Sequence, residues 1–256
     1  MKILFLGTSA CDYSQKLQAE FLDKFDFDAR RSSSVLIEGR YLIDCGEHTL
    51  QSLQIANVAY DAITDIFITH LHSDHYNIKH IEKIARTKNE KLHVWVRDGA
   101  EIPRIENVEV INMEVGRQYT VSTDFTVTGL LANHDAITYP QHLLLKYNKQ
   151  KALYACDGAW FLNDTWYRLK GLELDFLVLD ATCGDYLGDY RIGEHNTIPM
   201  IRLMLPSMKA WKTITEKTKV YLSHLAPSLH LPHKDTVELV KSDGLQVAYD
   251  GLQVEI

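Results

Sequence analysis

Thr69-His70-Leu71-His72-Ser73-Asp74-His75 places three of the chain's twelve histidines and an aspartate within six residues. An apolar strand-like run, Asp65–Thr69, ends directly before it. A helical pattern begins just after, with Ile78, Ile81, Ile84 and Ala85 on one face. In extended chain, residues i and i+2 point the same way, so His70 and His72 can grip one ion. Asp74 and His75 sit where the chain turns toward the helix and aim elsewhere, which suits a second ion. Imidazole with carboxylate is the donor set of zinc, iron or manganese at hydrolytic sites. Without a metal, such a buried cluster would need many satisfied hydrogen bonds.

Four ligands cannot close two sites. The remaining candidates are His134, Asp157 and His224, each following an apolar run (Phe125–Leu131, Ala152–Cys156, Lys219–Leu222). Strand ends gathered on one edge are where sheet proteins commonly place catalytic loops. The competing readings are a turn for Asp157-Gly158 and hydrogen-bonded core histidines for His134 and His224.

Working outward, strand-length apolar runs recur at Ile3–Leu6, Ser34–Glu38, Tyr41–Asp44, Leu92–Val96, His142–Tyr147, Asp175–Asp180, Gln246–Tyr249 and Leu252–Glu255. Helical patterns cover Glu47–Ile55, Thr197–Met208 and Thr236–Val240. Pro199 is tolerated in a first turn, whereas Pro206 is expected to kink or end its helix. Each half offers strands first and helices later, which predicts two sheets packed face to face with helices outside, in one domain spanning 1–256. No G-x-G-x-x-G or P-loop supports a nucleotide cofactor.

The bulk numbers agree with a globular chain: 256 residues, 46% hydrophobic and 24% charged. A net charge of −7 and the lack of a Lys/Arg block argue against a nucleic-acid partner. The opening apolar run is too short for a signal peptide, and no segment reaches the ~18 apolar residues of a membrane span. Cys11, Cys45, Cys156 and Cys183 are scattered, which suits a reducing cytoplasm and packing for Cys156.

The H-x-H-x-D-H motif, followed by a lone His, an Asp and a late His, resembles the metallo-β-lactamase-fold hydrolase superfamily over essentially the whole chain. Leu6-Gly7-Thr8-Ser9, Ser32–Ser34 and Leu42-Ile43-Asp44-Cys45-Gly46 match its early elements. The resemblance implies an αβ/βα sandwich with two divalent ions, zinc first, manganese or iron otherwise, holding a bridging hydroxide. By position, His70, His72 and His134 would bind one ion, and Asp74, His75 and His224 the other. Asp157 would bridge them, Asp74 would also serve catalysis, and Asp44 would support the metal loop.

Within the superfamily the chain looks most like phosphodiesterases of phosphonate degradation, which cleave a cyclic phosphate on phosphoribose. Asp180, His195-Asn196-Thr197 and Val247–Val254 carry that likeness. Those relatives have a cysteine-rich zinc insert near the N-terminus, where this chain has only Cys11. The expected substrate is a small cyclic or nucleotide-like phosphodiester, and the expected assembly a homodimer. His195 is the candidate general acid, with a surface position before a helix as its alternative. His230, His233, Arg30 and Arg31 are weighed as substrate contacts, with exposed loop or solvated roles favoured. His48, His80, His93 and His142 are read as structural. Rival functions are a tRNA 3′-end endonuclease, a lactone or thioester hydrolase, and a non-catalytic small-molecule-binding protein.

Overall fold

The computed structural model describes residues 1–19 and 22–256. The strands in chain order are β1 (Lys2–Gly7), β2 (Ser34–Ile37), β3 (Tyr41–Ile43), β4 (Asp65–Phe67), β5 (Leu92–Arg97), β6 (Val108–Met113), β7 (Gln118–Thr120), β8 (Phe125–Leu131), β9 (Gln141–Tyr147), β10 (Gln150–Ala155), β11 (Leu174–Asp180), β12 (Ile214–Ser223), β13 (Gln246–Val247) and β14 (Gln253–Glu255). The helices are α1 (Gln15–Ala19), α2 (Thr49–Ile55), α3 (Ile78–Ala85), α4 (Asn163–Leu169), α5 (Ile198–Ala210) and α6 (His233–Val240).

Two seven-stranded mixed sheets result, in the orders β14-β1-β2-β3-β4-β5-β6 and β13-β12-β11-β10-β9-β8-β7. Alternation along the strands explains why they stack. In β1, Ile3 and Phe5 enter the core between the sheets, while Leu6 enters the layer beneath α2 and α3. In β11, Phe176 and Val178 face the other sheet, while Leu177 and Leu179 meet α4, α5 and α6. Strands that are apolar on both faces must be covered on both, here by the other sheet on one side and by helices on the other, giving four layers.

Strand direction positions the site. β3, β4 and β5 are parallel, and β1 runs with β3 because two antiparallel pairings separate them. β10, β11 and β12 are parallel, and β8 runs with β10 for the same reason. The loops after β1, β3, β4, β8, β10, β11 and β12 therefore gather at common sheet edges.

The expectations need correction in part. Of the two outcomes expected at Pro206, a kink or an end, the end does not occur, since Pro206 lies inside α5, which continues to Ala210. Pro206 is exposed, so its ring displaces no core contact. In addition, β6, β7, α1 and α4 are not among the expected elements. β6 is largely exposed, so its side chains show no strong apolar run.

Candidate metal centre

Two nitrogen- and oxygen-rich clusters share one edge of the sandwich. In the first, His70 Nε2 lies 2.9 Å from His72 Nδ1, which lies 3.2 Å from His134 Nε2. In the second, His75 Nε2 stands 3.2 Å from His224 Nε2 and 3.2 Å from Asp74 Oδ2. Asp157 belongs to both: its Oδ2 is 3.3 Å from His70 Nε2 and 2.5 Å from His75 Nε2, while Oδ1 is 3.1 Å from His224 Nε2. A tetrahedral zinc with ligands ~2.0–2.1 Å away spaces them about 3.3 Å apart, so the residues fit such ions.

The outward ring nitrogens fix which atoms face inward. His75 Nδ1 donates to Asp44 Oδ2 at 2.8 Å, and His134 Nδ1 donates to the Glu194 carbonyl at 3.3 Å. His224 Nδ1 meets Thr182 Oγ1 at 2.8 Å, and that hydroxyl donates to the His224 carbonyl. His70 Nδ1 rests 3.1 Å from Thr69 Oγ1, which in turn donates to Asp44. In the neutral rings the inward nitrogens are thus left as acceptors. Among the described residues, Asp157 Oδ1, fully shielded, has no donor aligned on it, which also fits a cation.

The chain strains to present these groups. Asp44, Asp157 and His224 have φ of 62°, 47° and 58°, the left-handed region that non-glycine residues avoid. The turn and ligand readings of Asp157 therefore fall on the same residue. Gly46 allows another close approach, since a Cβ there would stand 1.7 Å from the Asp74 carbonyl oxygen.

Electrostatics are extreme. Burial opposes ionisation of Asp157, yet His224, His75 and His70 outweigh it and hold the carboxyl well below its usual range. Burial likewise disfavours a charged His224, but the Asp157 carboxylate carries it up to about 10. His70 is pushed well below the usual imidazole range by burial and by His75. So dense a set of buried carboxylates and imidazoles marks a functional centre.

His195 lies beside this centre in the loop before α5. Its Nδ1 bonds Asp180 Oδ2 at 2.8 Å, and its ring stacks on His224 with centroids 5.5 Å apart. It is largely buried rather than on the surface. Burial opposes its charge, but Asp180 prevails and raises its pKa. Asp180 and Thr182 had no assigned role from sequence, although Asp180 ends an apolar strand just as Asp157 follows one.

The remaining candidates sit elsewhere. Arg30 and Arg31 are buried, not solvated. Arg30 bonds Thr8, the Ala248 carbonyl and His233 Nδ1, while Arg31 bonds Gln51 and the Leu22 and Lys24 carbonyls. His230 is partly buried, with Nε2 donating to the Ala181 carbonyl, and His233 stacks on Phe27; neither is a free loop histidine. Cys156 packs in the inter-sheet core. His48 and His80 hold backbone near Gly46, His93 pairs with Asp65, and His142 is fully buried.

Residues 39–240 match the family model described as "Beta-lactamase superfamily domain". The chain belongs to this family. A 78-residue segment is 36% identical to ribonuclease Z of Archaeoglobus fulgidus, covering 29% of this β-lactamase-superfamily chain and 21% of that protein. Among solved structures, a diphosphatase of the PhnP family superposes over 100% of this chain and 96% of its own, with a TM-score of 0.75 and 18% identity. YhfI from Bacillus subtilis gives 0.75 at 14% identity over 100% and 98%. Human tRNase Z, short form, gives 0.66 at 19% over 100% and 99%. Identities this low speak to the fold, the metallo-β-lactamase sandwich. Among the described residues, no helix is long and apolar enough to cross a membrane.

Proposed function

We propose that the chain is a dinuclear metal-dependent phosphodiesterase acting on a small cyclic or nucleotide-like phosphodiester. The observation that carries this reading is the pair of ligand clusters joined by Asp157, with the His195–Asp180 pair beside them. When bound, the ions would supply Lewis acidity and a water acidic enough to be a nucleophile near neutral pH. His70, His72 and His134 would hold one ion; Asp74, His75 and His224 the other.

The chain's own residues account for the rest. Asp44 fixes the His75 ring through Nδ1, and Thr182 fixes His224, so the ligand atoms need no reorganisation. His195 commits Nδ1–H to Asp180 and leaves Nε2 for substrate. Asp180 also favours the protonated ring, so His195 can donate a proton to the departing alkoxide oxygen. A phosphorus centre is favoured over a carbonyl because the PhnP-family diphosphatase and tRNase Z share the fold, and the ribonuclease Z match is a sequence match. The net charge of −7 favours a small diester over a large RNA.

The test is a panel of cyclic phosphates, nucleotide diesters, bis(p-nitrophenyl) phosphate and lactones on zinc-, manganese- or iron-reconstituted protein. Turnover of diesters is expected. Hydrolysis of lactones alone would refute the phosphodiester assignment.

A further inference from the structure

Asn196 follows His195 and has had no part in the chemistry so far. Its side chain is fully buried, and its Nδ2 donates to the Gly158 carbonyl at 2.9 Å. Among the described residues this is the side chain's one hydrogen bond, since Oδ1 has no partner. The Asn196 backbone is held as well. Its N–H donates to Asp180 Oδ1 at 3.2 Å, and its carbonyl accepts from Cys183 N at 3.1 Å. Gly158 is the residue after Asp157, and its own N lies 3.4 Å from Asp180 Oδ2. Both polar backbone groups of Gly158 therefore face Asp180 and Asn196.

This matters because two carboxylates compete for one imidazole N–H. His195 Nδ1 lies 2.8 Å from Asp180 Oδ2 and 3.3 Å from Asp157 Oδ1. The first pairing leaves Asp157 Oδ1 for a cation; the second would spend it on His195. Where the Asp157-Gly158 turn sits decides between them. Asp157 holds a disfavoured left-handed backbone, φ 47°, which persists only where its surroundings restrain it. The Asn196 amide is such a restraint, and it is joined directly to His195. The turn also lies tight on His142, where a Cβ at Gly158 would stand 2.6 Å from Cε1.

We propose that Asn196 is a positioning residue. By tying the Gly158 carbonyl to the His195 loop, it keeps the His195 Nδ1–H on Asp180 and leaves Asp157 Oδ1 free. The role rests on the phosphodiesterase reading, in which His195 is the proton donor. Supporting bonds of this kind orient a ligand and an acid without touching substrate.

Asn196→Ala removes the tie and keeps the backbone bonds. In zinc-loaded protein carrying isotope-labelled histidine, the His195 Nδ1 resonance, assigned by its loss in His195→Ala, is expected to shift. Rates should separate too. A nitrophenolate leaves unaided, whereas an alkoxide needs the proton, so kcat on a cyclic nucleotide should fall roughly tenfold further than kcat on bis(p-nitrophenyl) phosphate. An unchanged His195 resonance would overturn the proposal. Equal losses on both substrates would overturn it as well, because general structural damage spares neither leaving group. Should Asn196→Ala not fold, Asn196→Ser, whose hydroxyl stops short of the Gly158 carbonyl, carries the same measurements. If the wild type cleaves neither diester, the phosphodiesterase reading fails by itself, and the resonance still judges Asn196.

Discussion

At the scale of single residues, Asp157 does most to join the two clusters. Its left-handed backbone is disfavoured for any residue but glycine, and its carboxylate is buried among three imidazoles. Both penalties make sense only if both oxygens are used. Asp157→Ala is therefore expected to lose both ions together by elemental analysis, and retention of two would refute its bridging place. His195 should behave differently, because its hydrogen bonds go to Asp180 and Thr182. His195→Ala should keep the metals while kcat falls by about 10²–10⁴-fold; metal lost along with activity would move it to the ligand set. The six-residue cluster was legible because local spacing alone brings its donors together. His195 was legible only as a histidine before a helix, since the carboxylate that gives it a role is 15 residues away in sequence.

At the scale of elements, what the sequence revealed tracks how strongly each segment is patterned. α3 has its expected bounds, helped by the Asn77 side chain accepting from Lys79 N and His80 N. α5 begins where Thr197 Oγ1 accepts from Met200 N, which also fixes the loop carrying His195. β6 and α4 left little trace, one largely exposed and the other a short helix of mixed character. Loop geometry was less visible still. Gly46 reads as an ordinary glycine after a strand, yet the β3–α2 loop and the metal loop touch at this point, with Cys45 N bonded to the His75 carbonyl at 2.8 Å. Gly46→Ala must push these backbones apart, so a clear fall in melting temperature and weaker metal binding are expected. A normal Tm with full metal content would contradict that contact.

At the scale of the whole molecule, buried charge sets the response to pH and to chelators. Burial holds His142 and His230 down to about 4, against an ordinary value of 6.5. Above 6.5 both are neutral whether the chain is folded or not. As pH falls from there toward 4, the unfolded chain takes up protons that the folded chain refuses, and stability is lost. Asp250 acts oppositely: burial raises it to about 6, so the folded chain gains stability as pH falls through that value toward 3.8. Through these two histidines acidification costs stability, and His142→Phe should make the decline between pH 6.5 and 4.5 shallower in chemical denaturation. Equal slopes would contradict the buried neutral histidine. Removing the ions with a chelator should lower the melting temperature, because Asp74, Asp157 and their imidazoles would remain buried without the partner they are arranged around. The sequence by itself determined the sandwich and the local metal motif, because apolar alternation and i, i+2 spacing act over a few residues. Only the tertiary structure decided that Asp180 orients His195 and that Arg30 and Arg31 turn inward. Those relations depend on strand direction bringing distant loops to one edge, and short-range pattern carries no record of it.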